Sequence, residues 1–263
     1  MRATDLESFH GTSWSLLSVP DPSGSTGAQL DAVACSGTGD CFAAGSSMAH
    51  TLVEHWNGSA WSIVSSPNPN SVSLLLGVTC PSASRCWAVG FTVPGTAGAT
   101  LAERWNGTSW TVVPTPGSSD GQLNSDSCAS TSDCVATGSG GNMFAIAQVW
   151  NGAKWVNALP KKPSGAGITV LKSVSCPPGA SACESVGAKQ VSSGERALAE
   201  RWNGSAWSVQ STGTISGTTL SSLDSVSCTS ASNCWATGVS VTSSAEDVLI
   251  EKWNGTSWSV TVS

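Results

Sequence analysis

Residues 75–90 read LLGVTCPSASRCWAVG, and after a loop residues 99–116 read ATLAERWNGTSWTVVPTP. The stretch holds four short runs rich in Val, Leu, Trp and Thr. Each is bounded by Gly, Pro, Ser or Asn, the pattern of strands separated by turns. Strand A runs from Leu75 to Cys80, strand B starts at Cys86, strand C is TLAERW and strand D is SWTVVP. Strands this close in sequence predict an antiparallel meander.

The phrase recurs along the chain. Cysteines fall in five close pairs: Cys35 with Cys41, Cys80 with Cys86, Cys128 with Cys134, Cys176 with Cys183, and Cys228 with Cys234. The unit therefore repeats every 45–52 residues. Variants of WNGTSW follow at 56–61, 105–110, 150–155, 202–207 and 253–258. Four-stranded units of this length in tandem predict an all-β protein, a β-propeller of five four-stranded blades. The blades cover about 28–69, 73–116, 121–162, 168–212 and 219–263. A β-solenoid is the rival, but its coils are shorter and its strands parallel. The small residue in strand A (Ala32, Gly77, Ser125, Ser173 or Ser225) fits a strand crowded around an axis. Residues 1–20 add a further C–D hairpin, because DLESFHGTSWSLL matches LAERWNGTSWTVV with Phe9 for Trp105 and His10 for Asn106. Residues 1–263 thus read as a single propeller domain of five blades with an extra hairpin, or of six blades with one incomplete.

Asn-Gly between two apolar runs predicts a type I′ hairpin turn, which needs φ > 0 at both central residues. The phrase also forms N-x-[ST] at Asn57, Asn106, Asn203 and Asn254, a glycosylation-acceptor pattern. The third unit keeps Asn151-Gly152 but continues Ala153-Lys154, losing the acceptor and not the turn. Turn chemistry therefore covers all five copies. The Trp residues that flank each turn read as packing rather than as sugar platforms.

Each cysteine pair spans the A–B turn, placing two sulfurs on adjacent strands, where a disulfide forms if the Cα atoms lie near 5.5 Å. Zinc would want closer pairs or histidine partners, and the histidines are only His10, His50 and His55. Five disulfides imply a secreted or extracellular protein. No metal or cofactor is implied. Charged residues make up 11% of the chain and the net charge is −6, with no basic run, which argues against nucleic acid. No apolar window reaches the length of a membrane helix, so no membrane insertion is expected.

The cysteine and Asn-Gly turns fall at one end of the strands. The B–C and D–A loops fall at the other, and the B–C loops FTVPGTAGA, SGGNMFA, AKQVSSGERA and VSVTSSAED differ from unit to unit. Variable loops on a repeated scaffold are where binding resides. The residue after the strand A leucine also varies, and its polar members Asp31, Asn124, Lys172 and Asp224 are the ligand-binding candidates. For a glycosidase, Asp31, Asp126 and Asp224 are the strand A carboxylates. They occupy like or nearby positions, without the contrasting environments that split an acid from a base, and no catalytic residue is assigned. Strand C repeats a charged pair at Glu54-His55, Glu103-Arg104, Glu200-Arg201 and Glu251-Lys252, replaced by Gln148-Val149 in the third unit. Alternation sends the two side chains to opposite faces, so an ion pair or hydrogen bond between neighbouring units is expected.

The repeated pattern L-x-x-V-S-C-x5-C-x-A-x-G followed by L-x-E-x-W-N-G-x-x-W-S-V resembles tandem repeats of secreted bacterial, especially actinobacterial, proteins. In blade count and repeat length the chain is also similar to tachylectin-type five-bladed lectins. These resemblances imply a disulfide-stabilised binding module, with a carbohydrate or a cell-surface protein as partner. A structural or protein-interaction scaffold and a glycosidase are the alternative readings.

Overall fold

The computed structural model describes residues 6–9, 11–22, 27–117 and 120–262. Asp5 and His10 of the expected N-terminal hairpin lie outside them. The chain divides into two compact units, Met1–Pro114 and Thr115–Ser263.

In the first unit a hairpin of β1 (Leu6–Phe9) and β2 (Trp14–Leu17) precedes two four-stranded sheets. Sheet 1 is β3 (Ala28–Gly37), β4 (Asp40–Ser47), β5 (His50–Trp56) and β6 (Trp61–Val64). Sheet 2 is β7 (Ser73–Ser82), β8 (Arg85–Thr92), β9 (Ala99–Trp105) and β10 (Trp110–Val112). The second unit holds three more. Sheet 3 is β11 (Gln122–Ser130), β12 (Asp133–Ser139), β13 (Ala145–Trp150) and β14 (Trp155–Asn157). Sheet 4 is β15 (Thr169–Ser175), β16 (Cys183–Val191), β17 (Gly194–Trp202) and β18 (Trp207–Gln210). Sheet 5 is β19 (Leu220–Ser230), β20 (Asn233–Val241), β21 (Glu246–Trp253) and β22 (Trp258–Val262). Every sheet is an antiparallel meander in chain order, so the repeat unit of the sequence is one sheet.

Within each unit the sheets stack face to face, and the core lies between them. β7 packs across β3, β4 and β5; β15 packs across β11, β12 and β13; β19 packs across β15, β16 and β17. Phe42, Val53, Leu75, Val78 and Trp110 fill the space between sheets 1 and 2. Val186, Leu223, Val226, Leu249 and Trp253 fill that between sheets 4 and 5. Sheet 4 has a neighbour on each face, and its strand B is buried without a break from Cys183 to Ala188, as expected of a strand covered on both sides.

One irregularity repeats five times. The A–B register slips by one residue between Leu30 and Ala32, Leu75 and Gly77, Leu123 and Ser125, Leu171 and Ser173, and Leu223 and Ser225. The skipped residue is a β-bulge, unpaired and re-aimed. Opposite each bulge stands the glycine of strand B: a Cβ on Gly45, Gly90, Gly138, Gly187 or Gly238 would lie about 2 Å from a backbone oxygen of strand A. The bulge presses the two backbones together, and only glycine leaves room.

The strand A small residues do more than avoid crowding. Ser125 and Ser173 accept hydrogen bonds from the Val174 and Val226 amides of the next sheet, at 3.2 Å each. Ser127 and Ser175 accept from the Cys176 and Cys228 amides. These hydroxyls link the strand A positions of sheets 3, 4 and 5.

All ten cysteines form the expected disulfides. Cys35 is bonded to Cys41, Cys80 to Cys86, Cys128 to Cys134, Cys176 to Cys183 and Cys228 to Cys234. Their geometry corrects the expectation in two respects. The Cα separations are 3.9–4.2 Å rather than 5.5 Å. In sheets 1, 3 and 5 the reason is the register, where Cys41 stands directly opposite Cys35, Cys134 opposite Cys128, and Cys234 opposite Cys228. Close cross-strand pairs of this kind bring Cα atoms nearer than most disulfides do. The second difference is where strand B begins. It starts at Asp40, Arg85, Asp133 and Asn233, one residue before Cys41, Cys86, Cys134 and Cys234 rather than at the cysteine. These four half-cystines are therefore inside the ladder, and they are buried.

The Asn-Gly turn also departs from expectation. Trp56 pairs with Trp61, and the other four Trp pairs match it, so four residues form the loop and not two. Gly58 has φ of 92°, and Asn57 is not among the positive-φ residues, so the turn is not type I′. The asparagine side chain organises it instead. Asn57 Oδ1 accepts from the Ser59 and Ala60 amides at 3.0 and 3.1 Å, and from the Ser59 hydroxyl at 2.8 Å. Asn106, Asn203 and Asn254 make the same three bonds. Asn151 keeps the two amides, and Ala153 supplies no hydroxyl. The glycosylation-like hydroxyl is thus a turn hydrogen bond.

Candidate functional site

The four candidates drawn from the sequence are all bulge residues. In the second unit two of them join: Lys172 Nζ lies 2.6 Å from Asp224 Oδ1 and 3.3 Å from Ser222 Oγ, bridging β15 and β19. Asn124 Nδ2 donates to the Leu171 carbonyl at 2.8 Å, and Gln122 Nε2 donates to Asn124 Oδ1. Asp31 belongs to the first unit, where Gln29 Nε2 donates to it. These side chains are engaged with neighbouring strands. The glycosidase candidates fare similarly. Asp224 is neutralised by Lys172, while Asp126 is buried on β11 with neither oxygen hydrogen-bonded among the described residues. Burial holds the Asp126 carboxyl well above its usual range. Among the described residues no group of three His, Cys, Asp or Glu could hold a metal ion.

The strand C glutamates are fully buried. Glu54, Glu103 and Glu200 make no hydrogen bond among the described residues. Burial raises Glu103 and Glu200 to about 8. It raises Glu54 to about 7, with the Asp21 charge adding to the effect. Where a partner exists, it is the linker that enters the sheet. Glu251 Oε2 accepts from the Gly213 amide at 2.9 Å, and Gln148 Nε2 donates to the Pro116 carbonyl at 3.0 Å. Among the described residues the expected ion pair of these glutamates does not form, whereas the hydrogen-bond alternative between neighbouring sheets is met at Arg201, whose Nη1 donates to the Ala231 carbonyl of sheet 5 at 3.2 Å. The basic residue beside them pairs elsewhere: Arg201 with Glu184 of its own sheet, and His55 with Asp40.

Among the described residues three cavities stand out: one of about 420 Å³ opens at the Trp56–Trp61 turn against Leu17–Pro20, and two lie where the variable loops are. A cavity of about 470 Å³ sits between sheets 3 and 4, lined by Asn142, Phe144, Asn157, Lys161, Lys162 and Thr169 among others. A second, of about 390 Å³, sits between sheets 4 and 5 and is lined by Lys189, Arg196, Thr212, Thr214, Thr218 and Ser221 among others. The two are equivalent. At the floor of the first, the Ala145 amide donates to Thr169 Oγ1 at 2.9 Å; at the floor of the second, the Ala197 amide donates to Ser221 Oγ at 3.1 Å. In each case strand C of one sheet reaches strand A of the next, and the linker closes one wall.

The Phe144 loop is braced by hydrogen bonds. Gly140 N donates to the Phe144 carbonyl at 2.8 Å, and Met143 N to the Gly140 carbonyl at 2.9 Å. Thr169 N donates to the Met143 carbonyl, and Phe144 N donates to Asn142 Oδ1. Met143 takes φ of 61° to make the bend. Lys162 Nζ rests 4.1 Å from the Phe144 ring centroid. Sequence reasoning named the loops SGGNMFA and AKQVSSGERA but not these residues. The signals available were the single Phe in those loops and the only Lys-Lys pair of the chain, at 161–162.

No protein-family model matches the chain, and no curated protein matches it. Solved structures do. SapL1 lectin in complex with α-methyl fucoside is 11% identical with a TM-score of 0.54, over 88% of this chain and 78% of that one. The Aleuria aurantia lectin, a six-bladed β-propeller that recognises fucose, is 13% identical with a TM-score of 0.53, over 86% and 75%. YCF48 bound to D1 peptide is 12% identical with a TM-score of 0.50, over 87% and 79%. At these identities what the chain shares with them is fold, the β-propeller.

Proposed function

We propose that the protein is a secreted, disulfide-stabilised propeller that binds carbohydrate in clefts between adjacent sheets at the variable-loop end. Residues 1–263 form one domain in this reading, with the five four-stranded sheets as blades. One observation carries it: two successive clefts have the same floor and different walls. Their volumes suit small ligands, and each lining mixes polar with apolar groups. A repeated floor with changing walls is how one scaffold offers related sites to related ligands. The sugar-binding propellers of like fold support carbohydrate as the ligand class, and the five disulfides support secretion. The bulge residues Asp31, Asn124, Lys172 and Asp224 act in this reading as supports of the strands below the clefts. The test is a broad glycan and polysaccharide panel probed with the oxidised protein. Hits competed by free sugar and lost in Phe144→Ala are expected; a panel without a competed hit rejects the reading.

A protein-interaction scaffold is the second reading, favoured by one surface. Trp235 is 40% exposed on sheet 5, while Trp87 at the same place on sheet 2 is buried. Trp235→Ser abolishing capture of a protein partner, with glycan binding intact, would favour it.

A further inference from the structure

We infer that the clefts between sheets 3 and 4 and between sheets 4 and 5 select anionic saccharides, sugars that carry a carboxylate or sulfate group. The inference rests on the carbohydrate reading above and adds the chemistry of the ligand.

The chain is acidic overall, with 17 Asp and Glu against 11 Lys and Arg. The clefts reverse that balance. Lys161 and Lys162 line the first, Lys189 and Arg196 line the second, and no acidic residue lines either. Of the other cations of the second unit, Lys172 pairs with Asp224 and Arg201 with Glu184, while Lys252 lies 5.0 Å from the Trp235 ring and Lys154 stands at the Asn151 turn, away from both clefts. The four cleft cations form no ion pair among the described residues. Lys189 is near enough to Glu200 to pull its carboxyl down, but burial dominates and keeps that group raised.

The cations are also placed. Arg196 donates to the carbonyls of Thr219, Glu195 and Ser193 at 2.6–3.1 Å, so its guanidinium is anchored by neutral acceptors and keeps its whole charge. Lys162 is held over Phe144. A cation anchored without a counter-ion at a cleft wall leaves a charge-assisted bond to the ligand. The same cleft provides what a pyranose needs beside a charge: an aromatic ring and the side-chain amides of Asn142 and Asn157. A bare phosphate would use the cations and leave the ring and amides idle; a neutral sugar would leave two positive charges unanswered in each cleft.

The experiment compares four immobilised polymers at low and moderate salt. They are polygalacturonate, its carboxyl-reduced neutral form, a sulfated galactan and its desulfated form. Polyglutamate serves as the polyanion that is not a sugar. The inference expects binding to one or both charged saccharides, at least about tenfold weaker binding to the matching neutral polymer, and a similar loss in the double variant Lys161→Gln with Lys162→Gln or in Lys189→Gln. Phe144→Ala weakens saccharide binding without changing the melting temperature. Equal binding of charged and neutral polymers, untouched by the lysine variants, overturns the anionic inference and leaves the carbohydrate reading standing. Polyglutamate binding as tightly as polygalacturonate, with Phe144→Ala silent, shows attraction by charge alone and overturns it as well. No saccharide binding, here and across the neutral panel, removes both.

Discussion

The two ends of each sheet follow different rules. At one end the A–B and C–D turns carry the same chemistry in every repeat: a cross-strand disulfide, an asparagine capping its own loop and a pair of facing tryptophans 5.6–6.0 Å apart. The two turns touch, because a Cβ on Gly107, Gly152, Gly204 or Gly255 would meet Ser84, Ser132, Ser181 or Ser232. At the other end the B–C loops and linkers differ in length, charge and shape, and the two clefts with a like floor open there. The repeated end fastens the sheet, and the varied end is where the proposed function places recognition. Between them runs the bulge with its glycine, which belongs to the fastening.

The strongest way to break this division is at the bulge. Gly138→Ala places a Cβ 2.0 Å from the Gln122 carbonyl, a backbone atom that cannot swing aside. The expected loss is on the order of 3–5 kcal/mol, seen as unfolding at ambient temperature by circular dichroism. A Gly138→Ala protein that melts normally would show that the bulge relaxes. Next comes the double variant Cys128→Ala with Cys134→Ala. Closing a loop this short is worth about 2 kcal/mol in the chain-entropy view, so urea titration should show that loss, with saccharide binding kept at low temperature. Loss of binding without loss of stability would mean that the repeated end has a share in recognition.

These devices were unevenly legible in the sequence. The four-stranded sheets and the cysteine pairing follow from periodicity, because apolar spacing and turn residues are local signals. The closeness of Cys41, Cys134 and Cys234 to their partners was not legible, because it depends on which residues face each other across the ladder. The bulge was visible only as a variable residue after the strand A leucine. Asp31, Asn124, Lys172 and Asp224 were singled out for variability, and that freedom comes from being the unpaired residue of a slip in register. The Asn-Gly turn was found, but its geometry depends on a side-chain oxygen that gathers two amides. The clefts escaped because Phe144, Lys161 and Thr169 come from three different elements and only packing assembles them.

The buried strand C carboxyls give a pH-dependent effect. Glu103 titrates near 8 in the folded protein against an ordinary 4.5, because burial penalises its charge. The folded state therefore binds the proton more tightly than the unfolded chain. Its contribution is fully present below about pH 4.5 and is lost as pH rises through 8. The third sheet already carries the neutral alternative, Gln148, bonded to its linker. Glu103→Gln should change stability at pH 5 by no more than about 1 kcal/mol and raise it by on the order of 4 kcal/mol at pH 8.5, flattening the pH profile. An unchanged profile in Glu103→Gln would mean that the carboxyl reaches a partner when ionised.

The smallest effect sharpens the comparison most, because the chain has already made the substitution once. Thr108 donates its hydroxyl to Asn106 Oδ1 at 2.8 Å in the second sheet, whereas Ala153 in the third sheet has no hydroxyl to offer Asn151. Both turns keep their two amide bonds and a glycine at positive φ. The hydroxyl bond is exposed and competes with water, so Thr108→Ala should cost about 0.5 kcal/mol, and Ala153→Thr should gain no more than that. Asn106→Ala removes the acceptor of all three bonds and should cost about 1–2 kcal/mol. The order Asn106→Ala well above Thr108→Ala, read from chemical denaturation midpoints, places the turn's energy in the asparagine. If the two cost the same, the hydroxyl is the organising group, and the third sheet's turn must be held by the Trp150–Trp155 pair alone.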